Sequence, residues 1–174
     1  MEQYLNDYRI RQAIDTDTAI LTQIWLDAFL VQFQGKEVPT LDENFAFEQT
    51  QNLIHAQDDT FKLWVCIDDK DEVLGYSTTQ PLWPTQNKDI RNSIGFIMTY
   101  VNQKYKGHGI GDKLFTHNMW FCKNHTKLTW CLGFRLPTNK LSVSITDKAG
   151  YQTIGQFPSV QGAPEWEIIM LPLK

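Results

Sequence analysis

Between Val101 and Leu114 the chain reads Val-Asn-Gln-Lys-Tyr-Lys-Gly-His-Gly-Ile-Gly-Asp-Lys-Leu, a glycine-rich turn joining an apolar stretch to a helical pattern. Gly107, Gly109 and Gly111 alternate, which clears side chains from the turn and lets several backbone N–H groups converge on one point. That point lies at a helix N-terminus, where unpaired donors and the helix dipole favour an anion. The chemistry within reach is the binding of a phosphate or a diphosphate, with Lys106 as a nearby cation.

Spacing separates the kinds of phosphate loop. A nucleoside-triphosphate loop ends in Gly-Lys-Ser/Thr, whereas Gly111 is followed by Asp112. A dinucleotide fold needs Gly-x-Gly-x-x-Gly in an opening βαβ unit, with an acidic residue about 20 residues on. Here the glycines fall past mid-chain, and Thr129-Trp-Cys-Leu132 stands where the carboxylate would be. Binding of coenzyme A fits the turn. A second motif lies downstream, Asn139-Lys-Leu-Ser-Val-Ser-Ile-Thr-Asp-Lys-Ala-Gly-Tyr151. Asn139 is a good N-cap, Leu141 and Ile145 share a helix face, and Gly150 suits a left-handed C-cap before a strand at Tyr151.

The run Lys106-Gly-His-Gly-Ile-Gly111 and the Asn139 motif together resemble the GCN5-related N-acetyltransferase (GNAT) superfamily, from about Tyr8 to Leu171. The Asn-x-x-Ser-Val pattern before Gly-Tyr is locally most similar to the phosphinothricin-type N-acetyltransferases. The resemblance implies an α+β fold, a mixed and mostly antiparallel sheet flanked by helices. It implies acetyl-CoA as co-substrate, with no metal. The pantetheine arm would run as a pseudo-strand along Thr99, Tyr100 and Val101. The diphosphate would fall on Lys106, Gly107, His108, Gly109, Ile110, Gly111 and Asp112, and Asn139 and Ser142 would lie beside the arm. Lys106 stands where the family has Arg or Gln, and offers a point charge rather than a bidentate fork.

Acyl transfer also needs an acid for the departing thiolate. The resemblance puts that acid seven residues after Asn139, at Thr146, where many members have tyrosine. Tyr100 is the other hydroxyl candidate, with Ser142 and Ser144 behind it. Phosphinothricin-type members carry a glutamate five residues before the strand-ending valine, and this chain has Phe96 there. The acceptor pocket is expected from Phe29, Phe33 and Trp83, with Trp25 divided between pocket and core, and with Glu37, Asp42 and Glu43 able to attract a cation. His55, His117 and His125 read as ordinary residues without metal spacing.

The elements that must position these groups follow from periodicity. Tyr8–Ile14 alternates as a strand, and Asp15 or Thr16 can cap a helix bearing Ile20, Ile24, Ala28 and Val31, broken at 34–39. A second helix spans about Asp42–Ala56. Strands follow at 62–67 and 73–79, joined by the charged turn 68–72 as a hairpin. A loop covers 81–87, and a strand over 93–101 feeds the turn. The next helix reaches about Asn124 with Leu114, Phe115, Met119 and Cys122 inward. Then come a strand at 128–134, the Asn139 helix, and short strands near 151–155 and 167–171. This βααβββαβαββ order is read as a single domain over 1–174.

Composition sets bounds. The 174 residues carry a formal charge of −4 and no basic block, so nucleic acid is not an expected partner. No apolar run reaches about 18 residues, and the N-terminus lacks signal-peptide features, so a cytoplasmic protein that does not span a membrane is expected. Cys66, Cys122 and Cys131 suit reduced, buried thiols. The function expected is acetyl transfer to an amine of a small molecule or an amino terminus. A non-catalytic acyl-CoA-binding module and transfer to a hydroxyl or protein side chain are the alternatives. GNAT domains often pair through their late strands, which leaves a homodimer open.

Overall fold

The computed structural model describes residues 8–32, 42–81, 89, 93–157 and 165–174. Seven strands form one sheet in the order β1-β2-β3-β4-β5-β7-β6: β1 Arg9–Gln12, β2 Leu63–Ile67, β3 Val73–Pro81, β4 Ile94–Val101, β5 Trp130–Arg135, β6 Gln152–Phe157 and β7 Trp166–Pro172. Among the described residues four α-helices accompany it: α1 Thr18–Gln32, α2 Glu43–His55, α3 Ile110–His125 and α4 Lys140–Ala149. All neighbouring strands run antiparallel except β4 and β5. This is the α+β sheet and the element order expected from the sequence. The break expected at 34–39 lies outside the described residues, as do residues 82–87 of the loop expected over 81–87 and the side chain of Val31; Pro81 itself ends β3, which runs two residues past the expected 73–79.

Local chemistry explains the joints. In the β2–β3 hairpin, Asp68 Oδ1 accepts from the amides of Lys70 and Glu72 at 2.9 and 2.8 Å, and Asp71 takes a φ of 62°. At α2, Asp42 caps the helix by accepting from Asn44 N–H at 2.8 Å, so its carboxylate serves the helix end. The entry to α1 differs from the expected Asp15 or Thr16 cap. A short 3₁₀ turn, Asp15–Asp17, intervenes, and Asp17 Oδ2 accepts from Ile14 N–H at 2.9 Å. Asp15 instead meets His55 Nε2 at 2.9 Å.

Asp17 also receives both guanidinium nitrogens of Arg11, at 2.7 and 2.9 Å. Burial works against its charge, but the Arg11 bonds, the Ile14 amide and the Arg11 charge outweigh it and hold the carboxyl below its ordinary range. A depressed folded pKa stabilises above the unfolded value of about 3.9, and that stabilisation is lost as pH falls through the lower folded value. Asp17→Asn is expected to cost about 1–2 kcal/mol at pH 7, with a smaller gap at about pH 3, below the unfolded value. Denaturant titrations at the two pH values check this, and a gap undiminished at acid pH would contradict it.

Strand alternation sorts two cores. Leu63, Val65 and Ile67 face α1 and α2 with Leu21, Ile24 and Ile54. The opposite face buries Phe115, Met119 and Cys122 of α3 with Ile97, Cys131, Tyr151 and Ile169. Cys66, Cys122 and Cys131 are unpaired and buried. In α4 the apolar pair at i, i+4 divides between core and solvent. Ile145 packs on the core, but Leu141 is 60% exposed.

Candidate functional site

β4 and β5 pair only through Ile94↔Trp130, Gly95↔Cys131 and Phe96↔Leu132. Beyond that rung the parallel strands part into a fork. On its other side β4 stays in register with β3 as far as Gly75↔Val101, and Asn102 N–H donates to Leu74 O at 2.9 Å. Main-chain groups alternate along a strand. The N–H and C=O of Tyr100 and Met98 therefore turn to β3, and those of Thr99 and Val101 turn into the fork. The expected pseudo-strand set is thus corrected at Tyr100, whose main chain is committed to the sheet. Exposed strand-edge groups of this kind are a template for an extended amide-bearing partner.

A buried polar network sets the position of Thr99. Its Oγ1 lies 2.9 Å from Ser77 Oγ, which accepts from Asn118 Nδ2 at 2.9 Å. Asn118 Oδ1 in turn accepts from Thr79 Oγ1 at 2.7 Å. Asn118 is fully buried on α3, so helix and strand are locked beside the fork. The sequence reading passed over this asparagine.

The turn leads directly from the fork to α3. Gly107 and Gly109 have φ of 82° and 78°, and an added Cβ would meet nothing closer than Tyr8 Oη at 4.0 Å. Their glycine requirement is conformational. Gly111 differs, since a Cβ there would approach Val101 Cγ2 to 3.3 Å, and its smallness lets the helix abut the strand end. Gly109 is the N-cap of α3 and accepts from Lys113 N–H at 3.0 Å, so the amides of Ile110, Gly111 and Asp112 form the open first turn. His108 is exposed, and its carbonyl accepts from Tyr8 Oη at 3.4 Å. Partial desolvation lowers Lys106 from the ordinary lysine value. The residue set fits a diphosphate followed by an amide-bearing arm.

Asn139 begins α4 as its N-cap, with Oδ1 accepting from Ser142 N–H at 3.2 Å. Gly150 closes the helix with φ 89°. Both expectations hold. Thr146, in contrast, is corrected. It is 8% exposed, its Oγ1 accepts from Arg135 Nη1 at 2.6 Å, and it donates to Ser142 O at 2.8 Å. Its proton and lone pair are spent beneath the helix, so it positions α4 and supplies no acid. The sequence reading also missed Arg135. In the β5 run Trp-Cys-Leu-Gly-Phe-Arg, alternation alone puts Arg135 on the buried face of Cys131 and Gly133.

Tyr100 points its ring toward α1 and α2, 5.2 Å from that of Tyr76, and donates to Met98 Sδ at 3.4 Å. Burial pushes its hydroxyl up to about 12. Trp25 packs against the α1–α2 core and Phe29 is half-buried on α1. Phe33, Glu37 and Trp83 lie outside the described residues. A concavity of about 510 Å³ opens on the β1 flank of α3, lined by Ile10, Lys113, His117 and Trp120 among others. It shares Gly109 and Asp112 with the glycine turn and the first turn of α3, and no β4 or β5 residue lines it. Among the described residues there is no helix long and apolar enough to cross a membrane, and no cluster of three or more His, Cys, Asp or Glu that could hold a metal.

Comparison with known proteins bears on this geometry. The model of a family described as acetyltransferase (GNAT) family matches residues 19–151. No curated protein sequence matches the chain. Solved structures share the fold at low identity. A GNAT superfamily phosphinothricin acetyltransferase from Sinorhizobium meliloti, in complex with AcCoA, has a TM-score of 0.75 at 15% identity, over 96% of this chain and 89% of that one. A ribosomal-protein-alanine N-acetyltransferase from Brucella melitensis has 0.75 at 18%, over 94% and 99%. An N-acetyltransferase from Staphylococcus aureus Mu50 has 0.72 at 19%, over 97% and 100%.

Proposed function

The chain belongs to the acetyltransferase (GNAT) family, and from that membership we propose that it moves the acetyl group of acetyl-CoA to an amine of a small molecule or an amino terminus. The observation that carries the reading is the fork. Strand β4 leaves the β5 ladder after Phe96, and its unpaired edge leads through a 3₁₀ turn at Gln103–Tyr105 to the glycine turn that opens α3.

When bound, acetyl-CoA supplies a thioester carbonyl open to attack. The amides of Ile110, Gly111 and Asp112, with Lys106 beside them, hold the diphosphate. Thr99 and Val101 bond the amides of the arm through their main chains, and Asn139, with Ser142, borders it. A nitrogen attacks the carbonyl carbon, the C–N bond forms and the C–S bond breaks. The ammonium proton leaves to solvent or a base, and the thiolate is protonated as free coenzyme A. An alkylamine with a pKa near ~10.4 must shed that proton at a cost of roughly 4–5 kcal/mol at pH 7.

Tyr100 fits the donor role better than the acid role. A phenol at about 12 gives up its proton less readily than a thiol at about 8.5, and its hydrogen is already directed at Met98 Sδ, so a bond to a thioester sulfur or carbonyl would have to replace that one. Tyr100→Phe is expected to leave acetyl-CoA affinity within twofold and to lower kcat by no more than about tenfold. A loss beyond a hundredfold in a stably folded variant would make Tyr100 the proton donor after all.

The direct test pairs calorimetry of acetyl-CoA with thiol release across a broad amine panel. Micromolar binding and turnover on some amine are expected. Binding without turnover on any amine would favour the acyl-CoA-binding module, and no binding would remove the reading.

A further inference from the structure

Among the described residues, three aromatic side chains line the face of the sheet at the fork's apex that α3 and α4 leave uncovered. Phe96 is the last β4 residue paired to β5, and its ring lies 4.9 Å from that of Phe134, two residues past its partner Leu132. Phe134 in turn lies 5.1 Å from Phe157, at the end of β6. Both ring pairs are inclined, at 53° and 67°, in the tilted to edge-to-face range that aromatic rings prefer. Phe134 and Phe157 remain 39% and 45% exposed.

Position makes these rings more than surface decoration. On the opposite face of the sheet, Ile97 and Cys131 are sealed under α3 with Phe115, Met119 and Tyr151. Arg135 is sealed under α4. Among the described residues these groups close that face beside the apex. On the ring-bearing face α1 packs over β3 and β4, and Phe134 and Phe157 stand open beside it. The neighbouring positions Leu132, Ile168 and Met170 on this face are apolar as well. A nitrogen attacking a thioester held in the fork must pass along Phe96 and Phe134.

We propose that this three-ring wall selects the acceptor, and that the acceptor is an amine carried on an aromatic ring, of the arylalkylamine class. The proposal rests on the acetyltransferase reading above and names its substrate class. The flat group of the acceptor packs on Phe134 and Phe157, and its short alkyl arm carries the nitrogen past Phe96 to the apex. Phe134 and Phe157 are thereby specificity-determining residues. They contribute burial and ring contacts, which raise affinity for an aromatic group and give nothing to a polyamine. The balance of the reaction is unchanged: one C–N bond replaces one C–S bond, and coenzyme A leaves as the thiol.

The experiment measures thiol release from acetyl-CoA with phenethylamine and tryptamine, against hexylamine, spermidine and free amino acids. The expected kcat/KM for the aromatic amines is at least tenfold above that for hexylamine. Phe134→Ala is expected to raise KM for phenethylamine about tenfold with kcat within threefold, and to raise KM for hexylamine by a clearly smaller factor. Phe134→Leu keeps most of the volume, guards against a folding failure, and is expected to fall between. Equal or better use of hexylamine, spermidine or an amino acid overturns the aromatic class alone. A chain that binds acetyl-CoA and acetylates no amine overturns the amine-transfer reading, and this proposal with it. Sedimentation of the wild type and Phe157→Lys supplies the remaining arm. A dimer broken by that substitution, with KM for phenethylamine unmoved, assigns the rings to a second copy of the chain and overturns the proposal.

Discussion

Gly109→Ala is expected to weaken acetyl-CoA binding by at least tenfold and to lower the melting temperature by about 2–8 °C. The native φ at this N-cap is 78°, where a side chain costs about 1–2 kcal/mol. Space is not the reason, because a Cβ would meet only Tyr8 Oη at 4.0 Å. The turn can relieve the strain only by rotating the peptide that opens α3. That rotation moves the amides of Ile110 and Gly111, which are the proposed seat of the diphosphate. Charge-assisted bonds to backbone N–H groups are short and directional, so a small rotation loses much of their value. Gly109→Asn is the informative control, because asparagine tolerates the left-handed region. It is expected to recover most of the stability and much of the affinity. Calorimetry and thermal unfolding of both variants check this. An alanine variant that melts early yet binds acetyl-CoA like the wild type would move the diphosphate away from the turn.

The glycine turn was legible in the sequence because it encodes backbone geometry in residue type. Glycine alternation, the Asn139 cap and the Gly150 stop each satisfy a local rule, and each appears where that rule puts it. The sequence reading gave all three turn glycines one role, whereas the structure divides them. Gly107 and Gly109 set φ, and Gly111 permits contact with Val101. Helix and strand faces were equally readable where apolar spacing was regular, as in α3. What escaped was chemistry made by pairs distant in sequence. Nothing near Asn118 announces that Ser77 and Thr79 lie opposite it, and the fork is a property of register between β4 and β5. Thr146 was misplaced because motif spacing counts residues and cannot show that a hydroxyl already has two partners. Tyr100 went wrong more simply. It was counted into the pseudo-strand by position, although alternation from Asn102 turns its main chain the other way.

Arg135→Met is expected to destabilise the protein by about 2–4 kcal/mol and lower its melting temperature by about 5–15 °C. Arg135 is 7% exposed, and its guanidinium reaches Glu167 Oε2 at 2.6 Å, Asp147 Oδ1 at 2.6 Å, Thr146 Oγ1 at 2.6 Å and Thr153 Oγ1 at 3.3 Å. Burial would lower its pKa, but Asp147 and Glu167 outweigh it and raise it. One side chain therefore ties β5 to α4, β6 and β7. Methionine fills much of the volume and leaves Glu167, whose side chain is 19% exposed, facing an apolar group. Asp147, at 57%, turns to water at little cost, which keeps the loss below that of a fully buried triad. The cofactor consequence follows from position. Thr146 and Asp147 sit in the last turns of the helix that Asn139 begins, and Arg135 ties that helix to β5, the strand that forms one arm of the fork. Arg135→Met should therefore raise KM for acetyl-CoA severalfold while leaving kcat for bound substrate nearly intact, because no reacting atom is touched. Pairing it with Glu167→Gln in a double-mutant cycle isolates the shared term, expected at about 1–3 kcal/mol. Additive losses in that cycle would mean that α4 is held by its apolar contacts through Ile145 and Ala149, and that the buried arginine merely accompanies them.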